Sequence, residues 1–224
     1  MDEGQVSRID KAAWETTPKA VFTDDSGQGF VVDRVRDESL EARYFERVSF
    51  QESVSDPLGN TFVVERLAFR EVDFTLTKTF PELELRMAPR GLRGFTSGLL
   101  KASGFSMELA SQNVDLAKWV SAMERETASK ISIRAAIAAG LELSGGATAR
   151  IGIAGPTDVR LALIELTNNR HYLLESVQLE YSFGRSTQKI VLSSDSSVRY
   201  GDKRPQEVVD AVRVAFNKTA RTIR

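Results

Sequence analysis

The chain has 224 residues, 42% of them hydrophobic and 27% charged, enough to build one substantial core or two smaller ones. It has no cysteine, which excludes disulfides, thiolate metal sites and cysteine nucleophiles, and it has a single histidine, His171. A formal net charge of −1 argues against a dedicated, strongly basic nucleic-acid binder, although the chain is acidic over residues 1–60 and basic over 199–224.

The start, Met1-Asp2-Glu3-Gly4, lacks the basic and apolar regions of a secretory leader. No stretch reaches the roughly 18 apolar residues of a membrane span. A cytoplasmic protein without membrane contact is expected.

Residues 1–26 carry weak signals and are expected to form a peripheral arm. A first sheet–helix unit is expected over 27–112 and a second over 113–224, unless the two form one continuous domain. In the first, Phe30–Val32 and Tyr44–Phe50 read as strands, and Ser55-Asp56-Pro57-Leu58-Gly59-Asn60 as the turn of a hairpin. The returning run Thr61–Lys78 changes apolar parity, from Phe62 and Val64 to Leu67 and Phe69 and back to Val72, Phe74 and Leu76. Bulges near Glu65 and Arg70 would restore a single buried face. A short strand through Leu83, Leu85 and Met87 follows. Leu92, Phe95, Leu99 and Ala102 then space a helix that Gly104 stops. Gly91, Gly94 and Gly98 fall on one side of it and read as close packing against the sheet.

In the second unit, Asn113 is placed to cap a helix over Val114–Glu126, with Leu116, Trp119, Val120 and Met123 on one face. Ile131, Ile133, Ala135, Ile137, Ala139, Leu141 and Leu143 then alternate as a strand with one buried face, Gly145-Gly146 turns it, and Ala149, Ile151 and Ile153 return. A helix is the competing reading of 130–143. Small residues on the other face, Ala136, Ala138, Gly140, Gly152 and Ala154, suit close cover by a helix or another subunit. Val159–Leu166 leads into an Asn168-Asn169 hairpin turn and a strand over Tyr172–Phe183, then Gln188–Leu192. Pro205 opens the last helix, with Val208, Val209, Val212, Ala215, Phe216 and Ala220 along one face.

The fold class expected is α+β: antiparallel β-meanders backed by helices. Phe62–Phe69 and Tyr172–Leu179 share a pattern, an aromatic, two aliphatics, a Glu and then alternating apolars, so two related β-β-β-α units are an option.

No catalytic, metal or cofactor motif is present. His171 has no partner at catalytic or ligating spacing, and the carboxylate pairs Asp24-Asp25, Asp37-Glu38 and Glu82/Glu84 have no distinctive arrangement, so an enzyme using carboxylates is the weakest reading. The leading expectation is a non-enzymatic binding or assembly module that contacts a protein partner or another copy of itself. The alternative is sequence-independent binding of a nucleic-acid phosphate backbone. It rests on Arg90 and Arg93 at the start of the first helix and on Arg199, Lys203 and Arg204 before the last, with Tyr200 for stacking.

Overall fold

The computed structural model describes residues 21–23, 26–89, 91–110, 112–127, 129, 131–183, 186–201 and 205–220. The chain divides into two compact units, Met1–Ala110 and Ser111–Arg224. Each holds one antiparallel sheet and its helices, an α+β architecture. The arm expected over 1–26 lies largely outside the described residues.

The first unit is a meander in the order β1 (Gln28–Val35), β2 (Ser39–Ser55), β3 (Thr61–Thr77) and β4 (Leu83–Arg86), followed by helix α1 (Arg93–Ala102). Its core lies at the end of the sheet where all four strands meet. Leu40, Ala42 and Tyr44 alternate inward along β2, and Val72, Phe74 and Leu76 along β3. Phe95 of α1 is inserted among their rings, 5.8 Å from Tyr44 and 5.2 Å from Phe74. Each such side chain contributes about 1.5–3 kcal/mol by leaving water. The glycine side of α1 is explained by this packing. A methyl group at Gly98 would lie 3.0 Å from the Tyr44 ring, one at Gly94 would meet the Glu46 carboxylate, and one at Gly91 would meet nothing.

The bulges expected in β3 are absent. β2 and β3 pair from Ser39↔Thr77 to Ser55↔Thr61 without a register shift. Constant register keeps parity tied to face, so Leu67 and Phe69 lie on the face opposite Val72, Phe74 and Leu76.

The second unit is a five-stranded sheet in the order β6-β5-β7-β8-β9. Helix α2 (Leu116–Thr127) leads into β5 (Ile131–Glu142), and β6 (Thr148–Ala154) completes a hairpin through Gly145 and Gly146, both at positive φ. Of the segment 130–143, Ile131–Glu142 is strand, not helix. Helix α3 (Arg160–Thr167) crosses to β7 (Leu173–Phe183), and β8 (Ser186–Ser193), β9 (Val198–Tyr200) and α4 (Gln206–Ala220) complete the unit. Helix α2 packs on α4 and on β7. The Trp119 indole donates a 3.1 Å hydrogen bond to the Val212 carbonyl, and its ring lies 5.1 Å from Phe216.

Three expectations here need correction. The buried face of β5 does not stay odd: Ile131 and Ile133 are buried, then Ala136 and Ala138, then Leu141. The register shift at Ile133/Ala135 against β7 and the one between Ala138 and Leu141 against β6 each add a residue to β5 and carry the two switches; Gly140, at φ +67°, lies inside the second, while the shift at Ile137/Ala138 adds its extra residue to β7. Ala136 and Ala138 are thus covered within their own unit, while Gly152 and Ala154 pair opposite Ile137 and Ala135 on the other face. Second, Val159–Leu166 does not lead into a hairpin turn. Its residues form α3, and Asn168 ends that helix in the left-handed region, at φ 48°. Third, α2 begins at Leu116, where Asp115 rather than Asn113 accepts the Lys118 backbone N–H at 3.1 Å. Among the described residues the two units also differ in connectivity, a four-stranded meander followed by a helix against a five-stranded sheet with a crossover and three helices, so related repeat units are not shown.

Gly94 and Gly98 give opposite expectations on one helix. Gly98→Ala gains helix propensity of about 1 kcal/mol but forces a methyl against the buried Tyr44 ring at a cost of about 1–3 kcal/mol, for a net loss of up to about 2 kcal/mol. Gly94→Ala meets only a movable carboxylate and is neutral or stabilising. Urea unfolding of the two variants checks this, and equal destabilisation would contradict the packing account.

Candidate protein-contact surface

Within the first unit, the described partners of β2 and β3 run out before the strands do. β1 reaches β2 only as far as Gln28↔Glu46, with one more bond from the Arg47 backbone N–H to the Gly27 carbonyl, and β4 reaches β3 only from Asp73. Beyond these points the hairpin continues as a two-stranded ribbon of about nine residues per strand, roughly 30 Å long at 3.4 Å per residue. Asp56 ties its tip. One carboxylate oxygen accepts the backbone N–H groups of Leu58 (2.9 Å) and Asn60 (2.8 Å), the other the Asn60 side-chain amide, and these bonds hold the Asp56 carboxyl below the usual range.

The two halves of the hairpin treat solvent differently. In the four-stranded half, the face away from the core is laced with charge: Arg43 holds Asp33 at 2.9 Å and Glu71 at 3.3 Å. In the ribbon, both faces carry apolar side chains. Phe50, Val54, Phe62 and Val64 extend the core face with nothing described above them, and Phe62 is 55% exposed. On the other face stand Val63 and Leu67, each 64% exposed, and Phe69, against which Phe22 rests at 6.0 Å. Leu58 projects from the tip. The charges in this region are few, and Arg66 and Glu52 pair with each other. A second, smaller apolar set, Leu161, Ile164 and Leu166, lies exposed on α3 in the other unit.

The best-formed cluster of titratable side chains is in the second unit, and it fastens structure. The Arg160 guanidinium meets Glu124 at 2.8 Å and Asp158 at 3.0 Å and also donates to the Ile131 carbonyl, tying α2, β5 and the start of α3 together. Burial alone would raise the Asp158 carboxyl, but the Arg160 backbone N–H, its guanidinium and the Ile133 N–H together hold it below its ordinary value. Glu180, bonded by Arg134, is also lowered. A carboxylic acid serving as a proton donor near neutral pH needs the opposite shift. Among the described residues, no three His, Cys, Asp or Glu side chains group as a metal site, and no helix is long and apolar enough to cross a membrane. His171 is exposed beside the start of β7.

Of the basic constellation, Arg90, Lys203 and Arg204 lie outside the described residues. Arg93 is the first residue of α1, exposed, in the first unit. Arg199 and Tyr200 are in β9 of the second. Tyr200 pairs opposite the fully buried Ile190, so its side chain is on the core face of the sheet and half-buried; Arg199, opposite Val191, is exposed on the other face. The ribbon was not among the sites expected from sequence, although the parity change over Phe62–Phe69 is its signal.

Arg160→Leu removes the shared partner of two carboxylates and destabilises the second unit by about 1–2 kcal/mol, a figure held down because the guanidinium is partly exposed. The lowered Asp158 carboxyl contributes stability that is present above its unfolded pKa, about 3.9, and is lost as pH falls through the lower folded value. The difference between wild type and Arg160→Leu therefore narrows as pH drops below about 4, as urea unfolding at several pH values can measure. Compared with known proteins, the chain matches no protein-family model and no curated protein.

Proposed function

We propose that the chain is a non-enzymatic protein-contact module whose contact surface is the free half of the β2–β3 ribbon. The observation that carries this reading is the apolar cover on both faces of a two-stranded ribbon, with Phe62, Val63 and Leu67 more than half exposed. An isolated two-stranded ribbon is at best marginally stable in water. Burying a Phe, Val or Leu contributes about 1.5–3 kcal/mol each, so a protein that covers three or four of them supplies the missing stability. Contiguous exposed apolar surface on this scale marks interaction sites more often than solvent faces.

This moves the contact surface away from the small-residue face of the β5–β6 hairpin, because Ala136 and Ala138 already serve the core of their own unit. Phosphate-backbone binding draws less support. Tyr200 lies on the core face of its sheet, which leaves no described aromatic side chain for stacking beside Arg199. The downward shifts of Asp56, Asp158 and Glu180 favour structural carboxylates over an acid–base pair.

The test is a photo-reactive amino acid placed at Phe62, compared with one at the exposed, polar Asp195. Irradiation in the cells that make the protein is expected to yield discrete protein adducts at 62 and none at 195, and Phe50→Ser with Val64→Ser is expected to abolish them. Absence of adducts at 62, or equal labelling at both positions, would contradict the reading.

A further inference from the structure

The occupant of the ribbon can be read from its edge. We propose that it is a second copy of this chain, paired edge to edge and antiparallel through the outer edge of β2, so that two ribbons join as one four-stranded sheet. This rests on the reading of the ribbon as a protein contact and names the partner.

The Arg47 backbone N–H points outward, to Gly27, and the Asp56 N–H points across the hairpin, to Asn60. Alternation along the strand therefore aims the N–H and C=O groups of Ser49, Gln51 and Ser53 away from β3, where no described strand lies. Natural edge strands are blunted by proline, lysine or a bulge. Val48–Ser55 contains no proline or lysine, its register against β3 is unbroken, and its one charge, Glu52, is paired with Arg66.

The edge is also self-complementary. A two-fold axis at Gln51 sets Gln51 opposite its copy, Ser49 opposite Ser53, Val48 opposite Val54 and Phe50 opposite Glu52, with no like charges opposed from 48 to 54. Like faces meet, so the Phe50 side of one ribbon continues into that of the other. Among the described residues, the edge without a strand partner runs from the end of β1 pairing to Ser55, and this register uses that full length, bringing the tip of each ribbon to the end of β1 in its partner. The outer edge of β3 is less suited: a two-fold axis at its middle, on Glu65 or Arg66, opposes like charges.

The chain has no cysteine of its own, so introduced thiols report the register without interference. Val48→Cys and Val54→Cys proteins, mixed in a glutathione redox buffer, are expected to form disulfide dimers at least about tenfold more readily than either alone. In the proposed pair, residues 48 and 54 are direct neighbours, about 4.5 Å apart between Cα atoms. Two copies of residue 48 are about 20 Å apart. Gln51→Pro, which removes an outward N–H and leaves the β3 ladder intact, is expected to give a folded monomer by circular dichroism and light scattering. Equal cross-linking in all three samples, or a wild-type monomer at about 100 µM, would overturn self-pairing. If photo-adducts at Phe62 then join a different protein, the contact reading stands without this partner. If there are no adducts either, both fall.

Discussion

The ladder between β2 and β3 is the constraint from which the first unit follows. Its pairs run from Ser39↔Thr77 to Ser55↔Thr61 in one register, so every even residue in either strand shares one face and every odd residue the other. Near β1 and β4 this serves an ordinary half-buried sheet: Tyr44 and Phe74 pack under Phe95 of α1, while Arg43 bridges Asp33 and Glu71 on the opposite side. Farther out, no helix lies above among the described residues, and the ion pair there is Arg66 with Glu52. The same rigid register carries Phe62 and Val64 on one face and Val63 and Leu67 on the other, all exposed among the described residues, and this is the surface proposed to meet a partner.

The second unit resolves the same conflict in the opposite way. In β5 the backbone slips, with shifts around Arg134 and Gly140, so the buried side passes from Ile133 to Ala136 and Ala138 and then to Leu141. Ion pairs around Arg160 and Arg134 fasten the elements about it. Its described ion pairs hold elements of the fold together, whereas in the first unit an edge and two faces have no described cover.

Sequence patterning was most reliable where one local signal sufficed. In α4, Val208, Val209, Val212, Ala215, Phe216 and Ala220 are all buried, as the helical spacing required. It misled where the same local preference serves two structures: Asn168 tolerates the left-handed region in a hairpin turn and at a helix end alike, and here it ends α3. Apolar parity points to an irregularity in β3 and to none in β5, and neither expectation matches the backbone. The change of parity in β3 predicts a bulge, but the backbone stays regular and the apolar residues change face. The steady alternation in β5 predicts a regular strand, but there the backbone bulges. Whether a strand slips depends on the partner's register, which is not written in the strand itself. The ribbon was legible in Phe62–Phe69 only if one abandoned the assumption of a single buried face, and Tyr200 could be assigned to the core only through its pairing with Ile190.

Amide hydrogen exchange at Ser49, Gln51 and Ser53, followed as the protein is diluted, tests the central claim most directly, because these N–H groups point to the open edge. The account predicts slow exchange at high concentration that becomes fast on dilution, while the amides of Ala42 and Tyr44 in the packed half stay protected throughout. Fast exchange at Ser49, Gln51 and Ser53 at every concentration would contradict it.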